Sequence, residues 1–153
     1  GSLLPQQQAA EKGCDQVLFL DPVHDNAIEE LGGMNVFLVT NDGRLLTPAL
    51  TGTILEGITR SSVIQLAEDR GLKVEERRIT LDEWDRGVTE GTITEVFACG
   101  TAAVITPIGE LVDGEKTIAS TGTGEVTQAI REELLGIQTG KVEDRHGWLH
   151  KLA

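Results

Sequence analysis

Met34-Asn-Val-Phe-Leu-Val-Thr40, then Asn41-Asp42-Gly43, then Arg44-Leu-Leu-Thr-Pro-Ala-Leu50: two apolar-rich runs meet across an Asp-Gly pair. Asp-Gly readily takes the positive φ that a tight antiparallel connection needs, so this stretch predicts a β-hairpin. A second hairpin is predicted where Ala102 to Gly109 would meet Glu115 to Ala119 across Asp113-Gly114. Upstream, Gln16 to Leu20 is a short apolar run ended by Asp21-Pro22 and reads as a buried strand. Residues 3–12 are Gln- and Ala-rich and predict an exposed helix stopping at Gly13. Helical spacing recurs in three places. Ile58 to Arg70 ends at Gly71, Thr80-Leu-Asp-Glu83 is a capping box opening a helix that ends near Gly87, and Glu125 to Leu135 is closed by Gly136. Strands outnumber helices and occur both as hairpins and between helices. The order predicts a mixed α/β fold with substantial antiparallel pairing, unlike a regular parallel Rossmann sheet.

The chain has 153 residues, 25 acidic against 13 basic side chains, and a net charge of −12. That size can bury one sizeable core. The acidic balance argues against nucleic acid, whose phosphates need a basic surface, and against an anionic membrane surface. No apolar run reaches the roughly 20 residues of a membrane span. Cys14 and Cys99 make neither a disulfide framework nor a zinc set, which points to the reducing cytoplasm. His24, His146 and His150 lack metal-ligand spacing, so no metal is expected and solvated surface positions are. With five aromatics and no tyrosine, the core falls to Val, Ile, Leu and Ala. Gly1-Ser2 reads as the remnant of a cleaved tag.

Three segments could carry chemistry. Leu46 to Arg60 places Gly57 directly before a helix, where unpaired backbone N–H groups and the positive end of the helix dipole favour phosphate. Thr59 would add a hydroxyl, or would simply be the N-cap. The Gly52-to-Gly57 spacing is P-loop-like, but Ile58 stands where that motif needs lysine, so nucleotide binding is rejected. Second, Gly100-Thr101-Ala102-Ala103 lies between apolar runs; its small residues could bring backbone N–H groups to an anion, or form an ordinary turn. Third, Glu30 and Asn35 bracket Gly32-Gly33 ahead of a buried strand. A carboxylate there needs a partner, either a protonated ring nitrogen of a cofactor or an arginine. Cys99 has no neighbouring base and is not expected to be a nucleophile.

Taken in order, Glu30-x-Gly32-x-x-Asn35-Val36-Phe37, Leu45-x-Thr47 and Leu55-x-Gly57-Ile58-x-Arg60 resemble the signature of class IV aminotransferases, pyridoxal phosphate enzymes of fold type IV. Met34 to Phe37, Gly100 to Ala103 and Ile137-Gln-Thr-Gly140 with Gly147-Trp148 resemble the branched-chain amino acid aminotransferases within that class. The resemblance runs from Ser2 to Leu152. It implies that residues 3–153 are most of the C-terminal, large, cofactor-binding domain: a mixed, mostly antiparallel sheet or pseudo-barrel with flanking helices. The N-terminal domain would be absent.

The resemblance also implies roles. Glu30 would pair with the pyridinium nitrogen of pyridoxal 5'-phosphate. Gly57, Ile58, Thr59 and Thr101 would hold its phosphate, and Thr101 with Ala102 would receive the substrate α-carboxylate. Asn35 is given a structural part. The Cys-x-x-Cys pair of some members falls on Ala103 and Thr106, so no thiol switch is expected. The lysine that forms the Schiff base belongs to an upstream Lys-x-Gly-Gly-Asn-Tyr motif that this chain does not contain. Lys12, Lys73, Lys116, Lys141 and Lys151 all lie outside its context.

The expected parent is thus a cytoplasmic homodimer of branched-chain amino acid biosynthesis. It would move the amino group of leucine, isoleucine or valine to 2-oxoglutarate, giving glutamate and branched-chain 2-oxo acids. This chain alone would be inactive and hold the cofactor weakly or not at all. A D-amino acid aminotransferase or aminodeoxychorismate lyase shares the anchor residues, and a non-catalytic anion-binding module is a further alternative. Uncovered apolar surface predicts self-association or a disordered N-terminal stretch, with residues 1–12 and the glycine-rich turns as the candidates for disorder.

Overall fold

The computed structural model describes residues 3–120 and 124–152; Gly1-Ser2 lies outside them. In chain order the elements are α1 (Leu3–Glu11), β1 (Leu18–Asp21), β2 (Ala27–Leu31), β3 (Asn35–Thr40), β4 (Arg44–Pro48), α2 (Ile58–Asp69) and β5 (Lys73–Arg77). There follow α3 (Leu81–Glu90), β6 (Ile93–Gly100), β7 (Val104–Pro107), β8 (Glu110–Asp113), β9 (Lys116–Ala119) and α4 (Glu125–Gln138). A five-stranded sheet has the order β5-β4-β3-β6-β7, with β1–β2 and β8–β9 as separate antiparallel pairs. Only β4–β5 is parallel, because α2 connects them as a crossover. The α/β architecture with mostly antiparallel pairing is the one expected.

β3 sits at the centre because all six of its residues are buried. Its pleat sends Val36 and Leu38 to one face, where Trp84 and Val88 of α3 cover them. Phe37 and Val39 go to the other, against Val63 and Leu66 of α2 and Ile130 and Leu134 of α4. Phe37 stacks on Phe97 of β6 at 5.1 Å. Burying each such side chain contributes about 1.5–3 kcal/mol, which favours β3 and β6 side by side although β4, α2, β5 and α3 lie between them in the chain.

The first hairpin forms as read, with Gly43 at φ +83°. The second does not. Lys116–Ala119 pairs with Glu110–Asp113, while the run beginning at Ala102 folds back onto β6 as β7. The adjacent β6, turning at Gly100, is a closer partner, and Ile108 N–H extends that pairing to Val96 O at 2.8 Å. β1 is half-buried rather than buried. The expected disorder over residues 1–12 gives way to helix α1 from Leu3.

Two helix ends also differ. α3 begins as expected, with Glu83 N–H donating to Thr80 Oγ1 at 3.1 Å, but continues through Gly87 to Glu90. Gly87 is a contact point for Ile93, whose Cδ1 would lie 2.3 Å from an added Cβ. Likewise α4 runs through Gly136, which receives Val142, and stops before Gly140 at φ +73°.

Candidate active site

Gly57 is the N-cap of α2, with extended φ, ψ and no side-chain hydrogen bond to the helix. Thr59 is therefore inside the first turn and is not the cap. No acidic residue occupies that turn, so the first N–H groups of α2 keep their partial positive charge. The loop before it is fastened by Asn35, whose Nδ2 donates to Leu55 O at 3.0 Å. A Cβ at Gly57 would come within 2.6 Å of Asn35 Oδ1; the close approach requires glycine. Thr53 Oγ1 donates to Glu29 Oε1 at 2.7 Å, tying the same loop to β2.

Asn35 also opens β3 and lies opposite Cys99 of β6. One residue on, Gly100 faces Met34, whose Cγ would be 3.1 Å from an added Cβ. Thr101, Ala102 and Ala103 then form an exposed turn, closed by Val104 in the left-handed region at φ +57°. A β-branched residue is strained there, and the Gly100–Val104 pairing and core packing of Val104 hold it in place.

Glu30 reaches this end through β2. Leu31 N–H donates to Met34 O at 2.9 Å and Met34 N–H to Leu31 O at 2.8 Å, across Gly32 and Gly33 at positive φ. Glu30 is half-buried and, unlike Glu29, has no hydrogen-bond or ion-pair partner among the described residues. Glu30, Gly57, Ile58, Thr59, Thr101 and Ala102 thus belong to elements that Asn35 and Met34 join at one end of the sheet. Its chemical character is a helix N-terminus without a side-chain cap, an exposed turn of small residues, two threonine hydroxyls and a carboxylate.

Cys99 is buried and its thiol is pushed up to about 12 by desolvation, against a smaller opposing pull from Arg60. It stays protonated and inert, as the missing base suggested. No three-residue metal-binding group occurs among the described residues. His146 is exposed, as expected, and there its Nε2 lies 2.7 Å from Asp69 Oδ2 and its ring stacks on Trp148 at 4.9 Å. A groove of 710 Å³ between α1 and the β8–β9 hairpin is lined by Lys12, Cys14, Trp84 and Leu111. None of the six candidate residues lines it, although Leu31 and Met34, which adjoin them, do.

The residue that the sequence places in the signature without a role is Arg60, 4% exposed. Its Nη2 donates to Pro48 O at 3.1 Å and to Glu76 Oε1 at 2.7 Å. The signal available was a cation in the first turn of a helix, where the dipole disfavours it.

The amino-transferase class IV family pattern matches residues 1–111. A branched-chain-amino-acid aminotransferase of Mycolicibacterium smegmatis is 55% identical over 156 residues, covering 99% of this chain and 42% of that protein. Among solved structures, the Escherichia coli branched-chain amino acid aminotransferase superposes with a TM-score of 0.80 at 37% identity, over 98% of this chain and 46% of the other. The branched-chain amino acid aminotransferase from Thermobaculum terrenum in its PLP-form, the holo-form, gives 0.77 at 35%, over 95% and 44%. The chain therefore spans less than half the length of these relatives.

Proposed function

The chain belongs to the class IV aminotransferases, and from that premise we propose that residues 3–153 are the cofactor-holding part of a longer branched-chain amino acid aminotransferase. The observation that carries this reading is the convergence on Asn35 of an uncapped helix N-terminus and the Gly100–Ala102 turn. Such a pair suits a phosphate ester, and the partnerless Glu30 suits a protonated ring nitrogen, so the residues present fit pyridoxal 5'-phosphate. When bound, that group supplies an electron sink for the amino-acid α-carbon.

The chain's own residues do the rest. N–H groups of Gly57, Ile58 and Thr59, with the hydroxyls of Thr59 and Thr101, hold the phosphate. Glu30 keeps the ring nitrogen protonated. Thr101 and Ala102 orient the substrate carboxylate so that leucine, isoleucine or valine presents its amino group, with 2-oxoglutarate as the returning acceptor. The lysine that moves the α-proton belongs to the part of the relatives that this chain does not span. In support, Lys73 and Lys116 stand in ion pairs with Glu75 and Asp85, away from the two turns.

Borohydride trapping after incubation with pyridoxal phosphate, read by intact mass and peptide mapping, tests this placement. No stoichiometric adduct and no glutamate from 2-oxoglutarate and leucine are expected. One specific adduct on a single lysine would refute it.

A further inference from the structure

Helices ordinarily carry acids or a side-chain cap in the first turn, because either offsets the dipole's positive end. α2 has neither and instead carries Arg60 there. A buried guanidinium is costly unless compensated. Its carboxylate partner, Glu76, is 48% exposed and so largely hydrated, and Arg60 Nε is buried with no acceptor. The positive charge is only partly answered within the protein.

Its location is also specific. Arg60 stands in the turn that begins at Gly57, and its field reaches Cys99, where it works against the effect of burial on the thiol. Cys99 immediately precedes Gly100 and Thr101. An added Cβ at Gly57 would lie 2.6 Å from Asn35 Oδ1 and 3.6 Å from Arg60 Cβ, and Asn35 pairs with Cys99 beside Gly100. The buried cation thus starts from the first turn and is one packed residue from the second, where a bound anion would complete its charge balance. Resting on that phosphate reading, we propose that Arg60 is a positioning residue that sets the anion affinity of the two turns through space, without touching the anion.

The test titrates the purified chain with inorganic phosphate and with pyridoxal 5'-phosphate, followed by 31P NMR, for the unaltered protein, R60K, R60Q and E76Q. R60Q should weaken both ligands by about tenfold at low salt, and R60K, which keeps the charge and loses the planar fork, by no more than about threefold. The gap should narrow in about 0.5 M KCl. A merely structural role would make R60K and R60Q fall together, and that result, or unchanged affinity in R60Q, overturns the proposal. E76Q removes a half-exposed group and keeps the reading testable if R60Q does not fold. It takes away the compensating charge and should tighten phosphate binding by about threefold; unchanged or weaker binding overturns the proposal. Absence of saturable binding of both ligands by the unaltered chain overturns the role given to Arg60 and leaves the family reading of the longer enzyme standing.

Discussion

A methyl group added at Gly87 would meet Ile93 Cδ1 at 2.3 Å and Cγ1 at 2.6 Å. Alanine is the better helix former by about 1 kcal/mol, yet overpacking a buried contact costs about 1–3 kcal/mol. Gly87→Ala should therefore destabilise in urea unfolding, and Ile93→Val should recover part of the loss. Asn35→Ala removes the bond to Leu55 O and should cost about 1 kcal/mol, with weaker pyridoxal phosphate binding because the Gly57 loop is released. Cys99 should resist iodoacetamide until the chain unfolds, while half-buried Cys14 reacts earlier. At this scale the local settings of the candidate residues were legible because backbone chemistry fixes their spacing: a glycine before a helix, small residues at a strand end, a carboxylate near paired glycines. Gly87 and Gly136 carried no such signal. A glycine that ends a helix and a glycine that admits a neighbour look alike until the neighbour is placed.

Among elements, α4 depends on a side chain from elsewhere. Its N-cap Gly124 offers no acceptor, and Glu95 of β6 takes the N–H groups of Val126 and Thr127 at 3.2 and 3.0 Å. Glu95→Ala should cost about 1–2 kcal/mol in thermal unfolding. The segment after α4 is held by carboxylates. The His146 hydrogen bond keeps the Asp69 carboxyl below its ordinary value, and N–H groups of Leu149 and Trp148 do the same for Asp144. A carboxyl depressed in the folded state stabilises fully above its unfolded pKa, about 3.9, and loses that contribution as pH falls through the folded value. Amide protection over residues 144–149, taken relative to the intrinsic exchange rate at each pH, should fall below about pH 4 before that of the sheet does.

Elements were legible where periodicity or a turn marked them, as in the first hairpin, α2 and the start of α3. β5, Lys-Val-Glu-Glu-Arg, was not read as a strand, because charges fill a half-exposed edge position that shows no apolar alternation. β8 escaped because the Ala102–Gly109 run was taken as the partner of Glu115–Ala119, leaving Glu110–Asp113 as the connection to the Asp113-Gly114 turn.

For the whole molecule, Leu3, Leu4, Leu55 and Ile58 are 64–87% exposed. These flank α1 and the α2 N-terminus, and such surface favours association. Sedimentation should show a weak, concentration-dependent self-association that Leu55→Ser reduces. No helix among the described residues is long and apolar enough to cross a membrane.

Because β3 and β6 are neighbours in space but about fifty residues apart along the chain, the two anion turns come together only after that pairing forms. A ligand spanning both recognises the finished sheet and nothing earlier. Its binding energy would then be added to the folded state by mass action, so the supply of such a ligand would govern how long newly made chains survive proteolysis.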